Sequence, residues 1–140
     1  MHKHLRTSYS IPAPAEAVWQ LLRHGGGVEQ WLPIVTACRV DGDRRTCETD
    51  GGTLHETIVR SDDHTRTFVY RIDEQALFPA EGITGTMRVE PAGESRCTLH
   101  WDVEMDLLDA DAWQPLKTQT EQLYAASAQQ LGALANAPAA

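Results

Sequence analysis

The sequence predicts an α+β fold in which one long C-terminal helix covers a seven-stranded antiparallel sheet, with two short helices between the first two strands. Two observations lead to this prediction. Between residues 34 and 105, turn-forming stretches recur every eight to twelve residues, and the segments between them alternate apolar and polar side chains. After residue 113 the apolar residues change to helical spacing instead.

Length and composition indicate one domain. The chain has 140 residues, of which 41% are hydrophobic, and this is enough to build an independent core. We therefore expect a single domain over residues 1–140, with residues 136–140 frayed at the end of the last helix. The net charge of −8 argues against nucleic acid or an anionic membrane as the main partner.

Targeting and metal-binding signals are not evident. No apolar run approaches the ~20 residues of a membrane span, so we expect no membrane insertion. The first residues lack the apolar segment of a signal peptide, which favours a cytoplasmic location. The three cysteines, Cys38, Cys47 and Cys97, are scattered in a way that favours reduced thiols, and the six histidines are dispersed. We expect neither a metal nor a cofactor.

The first element is a half-buried strand over residues 4–11, where Leu5, Thr7, Tyr9 and Ile11 share one side. Residues 12–24 predict a helix that begins near Pro14, with Val18, Leu21 and Leu22 as its buried stripe. Gly25 suits the end of this helix because a positive φ costs glycine little. Residues 28–32 leave room only for a second, short helix before Pro33.

Six further strands are predicted at residues 34–40, 44–48, 53–60, 65–73, 83–90 and 96–105. Alternation places Glu56 on the same face as Leu54 and Ile58, and Tyr70 on the same face as Phe68. The faces that carry these apolar side chains are the ones expected to be buried.

The last element is a long amphipathic helix from Pro115 to about Ala135. Its apolar face is predicted to consist of Leu116, Thr120, Leu123, Ser127, Leu131 and Leu134. A sheet with one apolar face needs a cover, and no other helix is long enough to provide it. A single helix on a broad curved sheet leaves space at one end, so we expect an internal cavity.

Three stretches of this sequence resemble a known family. They are PAPAEAVW at residues 12–19, GGVEQWLP at residues 26–33, and the hairpin from Glu56 to Tyr70. Together they are similar to the START-like, Bet v 1-like (SRPBCC) superfamily, and most closely to its bacterial polyketide cyclase/dehydrase-type branch. The resemblance runs from about Leu5 to Leu134 and implies a helix-grip fold around an apolar ligand cavity. It also implies that residues 25–27 form a sharp corner and that residues 31–33 plug one end.

Glu56 and Tyr70 are the candidate catalytic residues. An inward carboxylate requires a partner or a raised pKa. The resemblance implies that Glu56 faces the cavity, as a general acid/base or as an acceptor for a ligand hydroxyl, while Tyr70 would stabilise an oxyanion. Loops at residues 49–53 and 73–82 would frame the entrance. The candidate ligand-binding residues are Tyr9, Trp31, Thr36, Cys38, Leu54, Glu56, Ile58, Phe68, Tyr70, Ile83, Gly85, Met87, Trp101, Leu116, Thr120 and Leu123.

Three functions are compatible with these residues. The first is binding of a small apolar molecule, expected to contain a ring, inside the cavity. The second is a metal-free enzyme of the cyclase, dehydratase or aromatase type that uses Glu56 and Tyr70. The third is a protein-interaction module similar to the START-like chaperone activators. The oligomeric state and the identity of the ligand are left open at this point.

Overall fold

The computed structural model describes residues 1–137 and confirms the α+β, helix-grip fold. Seven strands form one antiparallel sheet: β1 (His2–Ile11), β2 (Val35–Asp41), β3 (Arg44–Thr49), β4 (Gly52–Asp62), β5 (Thr67–Glu74), β6 (Ala80–Pro91) and β7 (Cys97–Leu107). The helices are α1 (Ala15–Leu22) and α2 (Trp113–Ala135), with short 3₁₀ turns at Val28–Gln30 and Ala110–Ala112. The second short helix predicted before Pro33 is therefore a single 3₁₀ turn.

The strand order is β1-β7-β6-β5-β4-β3-β2, so β1 and β2 are the two edges of the sheet. From β2 to β7, each strand pairs with the next strand in the sequence, which is why short hairpin turns suffice to connect them. The ladder shifts register between His55 and Glu56 and again between Ile58 and Arg60 in β4. Such bulges bend a strand and increase its twist, which helps the sheet to curve around α2.

Helix α2 has 23 residues and is therefore roughly 35 Å long. Its buried residues are Leu116, Tyr124, Ser127, Ala128, Leu131 and Gly132. Leu123 and Leu134, which the sequence pattern placed on the buried face, are only partly buried. The buried face follows the ridges Tyr124–Ala128–Gly132 and Ser127–Leu131, because residues four apart lie on the same side of a helix.

The glycine-rich corner after α1 is shaped by close packing. Gly25 has φ +78°, in the left-handed region that glycine adopts without strain. A Cβ atom at Gly25 would lie 2.6 Å from Ile58 Cδ1, so the backbone approaches β4 closely.

Trp19 of α1 is fully buried, and its Nε1 donates to Asp63 Oδ1 at 2.9 Å. Arg23 binds the same carboxylate through Nε and Nη2, which ties the end of α1 to the β4–β5 turn.

The chain end after α2 is held to the start of the protein. The Asn136 side chain donates to the Pro12 carbonyl at 2.7 Å. Residues 138–140, part of the segment expected to fray, lie outside the described residues. None of the helices within residues 1–137 combines the length and the apolar character needed to cross a membrane.

Candidate functional site

A cavity of about 490 Å³ lies between the concave face of the sheet and the first half of α2. Its wall is predominantly apolar, and none of its lining residues within the described chain is charged. The sheet supplies Tyr70, Ile72, Ile83, Val103 and Met105; the helix supplies Leu116, Gln119, Thr120, Gln122, Leu123, Tyr124 and Ala126; and Pro33, Ile34 and Phe78 complete the wall.

Two buried tyrosines, Tyr70 and Tyr124, are part of the cavity wall. Trp101 Nε1 donates to Tyr70 Oη at 3.1 Å, and the Trp101 indole stacks on the Tyr124 ring with centroids 3.6 Å apart. Burial raises the pKa of Tyr70 and raises that of Tyr124 well above its ordinary value. Both hydroxyls therefore stay protonated at neutral pH. A protonated phenol is a hydrogen-bond donor without charge, suited to a carbonyl or hydroxyl oxygen.

Gly85 on β6 determines where the Tyr70 ring lies. The two residues are cross-strand partners, and a Cβ atom added at Gly85 would lie 2.1 Å from Tyr70 Cζ. The tyrosine ring thus occupies the space above the glycine that any other side chain would fill. This placement brings the hydroxyl of Tyr70 to the indole nitrogen of Trp101.

Behind Tyr70 lies a buried ion pair between Arg45 of β3 and Glu56 of β4. Arg45 Nη2 donates to Glu56 Oε1 at 2.7 Å, and the two side chains are only 6% and 4% exposed. Arg45 Nη1 also donates to the Gly25 carbonyl at 3.1 Å. The guanidinium carbon lies 5.1 Å from the Tyr70 ring centroid and 5.3 Å from that of Phe68. Of these two rings, that of Tyr70 is part of the cavity wall, so the guanidinium lies behind the wall at this point.

The structure supplies the partner that an inward Glu56 requires. The carboxylate does not line the cavity, since Arg45 binds it on the inner face of the sheet. Arg45 was not identified from the sequence, although the signal was present. It has the same parity as Cys47 on β3, and a cysteine flanked by polar residues marks the buried side of that strand.

The predicted ligand-binding residues differ in where they lie relative to the cavity. Those that line the cavity are Tyr70, Ile83, Leu116, Thr120 and Leu123. Those that are buried next to Tyr70 and Tyr124 without lining the cavity are Trp101, Gly85, Phe68 and Trp31. The Trp31 indole packs edge-on against that of Trp101, with ring centroids 5.9 Å apart. Met87 is buried between its cross-strand partners Phe68 and Trp101, Leu54 is buried opposite Cys47, and Ile58 packs against the glycine corner.

Three predicted wall residues lie away from the cavity. Thr36 is exposed, and its hydroxyl donates to the Glu48 carbonyl, since a register shift in β2 turns it outwards. Cys38 faces Cys47 across the β2–β3 ladder. Tyr9 lies in a separate groove between β1 and the second half of α2. Tyr9 therefore contacts α2 on the side away from the cavity, where its hydroxyl donates to the Glu121 carbonyl at 3.3 Å.

The two predicted entrance loops contact each other. In the loop between β5 and β6, Gln75 Oε1 accepts hydrogen bonds from the backbone N–H groups of Leu77 and Phe78, both at 2.8 Å. This local turn directs Phe78 to the cavity wall. Leu77 packs over the β3–β4 turn, where a Cβ atom at Gly52 would lie 3.4 Å from Leu77 Cδ1.

Within residues 1–137, no three histidine, cysteine, aspartate or glutamate side chains converge in a way that would bind a metal ion. The side chains that line the cavity supply phenol, hydroxyl, amide and apolar groups. The residues that the sequence analysis did not assign to the site are chiefly Tyr124 and Phe78 on the wall and Arg45 behind it.

Comparisons with known proteins agree with this architecture. The family model described as "Polyketide cyclase / dehydrase and lipid transport" matches residues 2–137. A search of curated proteins found no match. An uncharacterised protein from Bacillus thuringiensis superposes with a TM-score of 0.81 at 22% identity, covering 94% of this chain and 99% of the other. The protein XoxI from Bacillus cereus gives 0.82 at 23%, covering 93% of each.

A plant enzyme has the same fold. The structure of norcoclaurine synthase from Thalictrum flavum in complex with dopamine and hydroxybenzaldehyde superposes with a TM-score of 0.68 at 16% identity. The match covers 91% of this chain and 85% of that one. At this level of identity the likeness extends to the fold alone.

Proposed function

The chain belongs to the polyketide cyclase/dehydrase and lipid transport family, of the Bet v 1-like fold, and from this premise we propose that it binds a small, neutral, ring-containing molecule in its cavity. The observation that carries the proposal is an apolar cavity of about 490 Å³ whose wall includes two protonated phenols, Tyr70 and Tyr124. This volume suits a molecule of one to three rings, since ligand pockets span roughly 300–1,000 Å³.

A neutral ligand is expected because none of the described residues that line the cavity is charged. Moving an ion into an apolar site is costly unless a counter-charge binds it. The nearest buried cation, Arg45, already has Glu56 as its partner and is separated from the cavity by the Tyr70 ring. A ring that carries a carbonyl or hydroxyl group would place its oxygen at the phenols and its hydrocarbon against Ile83, Val103 and Leu116.

Two alanines on α2 allow a matched test. Ala126 lines the cavity, whereas Ala125 lies in the groove on the other side of the helix, and both are exposed. A neutral naphthylamine dye should become fluorescent on binding the wild-type protein. Ala126→Trp should block the cavity and abolish this signal, while Ala125→Trp should leave it unchanged. Equal loss in both variants would show that the dye binds elsewhere.

The role of the phenols is tested by Tyr124→Phe. Removing one hydroxyl should weaken binding of ring compounds with a carbonyl group by roughly 2–10-fold, as expected for one hydrogen bond. Binding of the corresponding hydrocarbons should not change. Native mass spectrometry of the purified protein would then identify any molecule that remains bound.

The catalytic alternative assigns proton abstraction to Glu56 and oxyanion stabilisation to Tyr70. To act as a base, Glu56 would have to give up its ion pair with Arg45, at 2.7 Å, and contact a substrate instead. That substrate would have to reach past the Tyr70 ring. These contacts favour binding over proton transfer by Glu56. If turnover of a ring-containing carbonyl compound is found and Glu56→Gln abolishes it without weakening ligand binding, the catalytic function takes precedence.

A further inference from the structure

Cys38 and Cys47 face each other directly across the β2–β3 hairpin, with their sulfur atoms 3.4 Å apart. The hairpin closes at Asp41 and Arg44 through a two-residue turn. Hydrogen-bonded and non-hydrogen-bonded pairs alternate from such a turn, so Cys38 and Cys47 form a non-hydrogen-bonded pair with Cα atoms about 4.5 Å apart. A disulfide accepts this Cα separation. Joining the sulfurs requires their approach, with no change in strand register.

The two thiols differ in exposure and in acidity. Cys38 is half-buried, while Cys47 is 1% exposed. The hydrogen bond from Cys47 lowers the pKa of Cys38 to about 7, the Arg45 charge acts in the same direction, and the Glu29 charge opposes it. The hydrogen bond that Cys47 donates, together with burial, raises the pKa of the Cys47 thiol. Since the thiolate is the reactive form, Cys38 is the attacking group and Cys47 remains a thiol beside it.

We propose that Cys38 and Cys47 are a modification site for hydroperoxides, at which the reduced pair is converted to a cross-strand disulfide. The Cys38 thiolate attacks the terminal peroxide oxygen and breaks the O–O bond. The leaving oxygen takes up a proton and departs as water or an alcohol, and Cys38 becomes a sulfenic acid. The Cys47 sulfur then displaces the sulfenic oxygen, which leaves as water. Overall the two thiols lose two protons and two electrons, which reduce the peroxide to water and to water or an alcohol.

The cysteine pair lies beside Arg45, which packs behind the cavity wall. As a thiol, Cys38 Sγ donates to the Gly25 carbonyl at 3.8 Å, and Arg45 Nη1 donates to the same oxygen. A disulfide removes Cys38 as a donor to the Gly25 carbonyl. Of the two side-chain donors, Arg45 then remains. Arg45 in turn packs on the ring of Tyr70. The proposed modification is independent of the proposed ligand, because neither cysteine lines the cavity.

Oxidation of the reduced full-length chain by hydrogen peroxide tests the proposal. We expect the intact mass to fall by two hydrogen atoms and the number of titratable thiols to fall from three to one. Peptide mapping should find Cys38 joined to Cys47, and dithiothreitol should reverse the change. A product in which two chains are joined, or in which Cys97 is part of the disulfide, would overturn the proposal.

Cys97 is the matched control because it is buried on β7 and burial raises the pKa of its thiol. Cys97→Ala should oxidise like the wild type, and Cys97 itself should react at least about tenfold more slowly than Cys38. Cys47→Ser should stop at a Cys38 sulfenic acid that dimedone traps, with circular dichroism confirming that the variant is folded. Equal reactivity of Cys38 and Cys97 towards peroxide would also contradict the proposal.

Discussion

At the scale of single residues, Arg45 and Glu56 are the most consequential pair, because two charges are buried on one inner face of the sheet. Arg45→Met should leave the Glu56 carboxylate buried without its partner and cost about 3–5 kcal/mol of unfolding free energy, measured by urea denaturation. Adding Glu56→Leu should recover most of this loss, since an apolar pair needs no counter-charge. If the double variant is as unstable as the single one, the ion pair is not the cause.

Gly85 makes the second residue-scale prediction. The Cβ atom of Gly85→Ala would overlap the Tyr70 ring, so the ring must move away from Trp101. We expect a loss of about 1–3 kcal/mol in thermal unfolding and a change in tryptophan fluorescence. In a Tyr70→Ala background the same substitution should cost much less, because the ring is gone. Equal costs in both backgrounds would show that the clash with Tyr70 is not responsible.

At the scale of elements, Asp63 joins α1 to the β4–β5 turn. Hydrogen bonds from Arg23 and Trp19 lower the pKa of Asp63 from 3.8 to about 2. A carboxylate whose folded pKa is depressed stabilises the protein above its unfolded pKa and loses this effect as the pH falls. The wild type should therefore melt at a higher temperature than Asp63→Asn at pH 7.

The difference between the two melting temperatures should shrink between pH 4 and pH 2, as Asp63 takes up a proton. Differential scanning calorimetry across this range measures it. Asp50 lies on the exposed β3–β4 turn, so Asp50→Asn provides a control for the loss of one surface carboxylate. A difference that persists unchanged at pH 2 would mean that the Asp63 charge is not what ties α1 to the turn.

At the scale of the whole molecule, a ligand in the cavity contacts both the sheet and α2 and should stabilise their association. At a concentration about 100 times its Kd, a neutral ring compound should raise the melting temperature by roughly 5–10 °C. Ala126→Trp should show no such shift, and Ala125→Trp should show the full shift. A shift of equal size in Ala126→Trp would locate the ligand outside the cavity.

Much of the architecture was predictable from residues close together in the chain. Alternation along β4 and β5 placed Glu56 and Tyr70 inward, and both are buried. The spacing after Pro115 predicted a long C-terminal helix, and α2 ends at Ala135 as expected. The assignment of Glu56 and Tyr70 as catalytic stays a prediction. The pattern placed Leu123 on the buried face of α2, whereas the structure buries its neighbour Tyr124, because both side chains are apolar enough for a core and the pattern does not fix the rotation of the helix.

The sequence by itself determined where the seven strands and the two α-helices lie and, away from bulges such as the one at Thr36, which strand side chains face inward, because period and parity are local properties of the chain. The tertiary structure alone decided which inward groups meet. Arg45 reaches Glu56 from another strand, Trp101 stacks on Tyr124 from the sheet to the helix, and Cys38 meets Cys47 across a hairpin. These contacts depend on strand register, on the bulges that curve β4, and on the distance between α2 and the sheet. None of these quantities is a property of any short stretch of sequence.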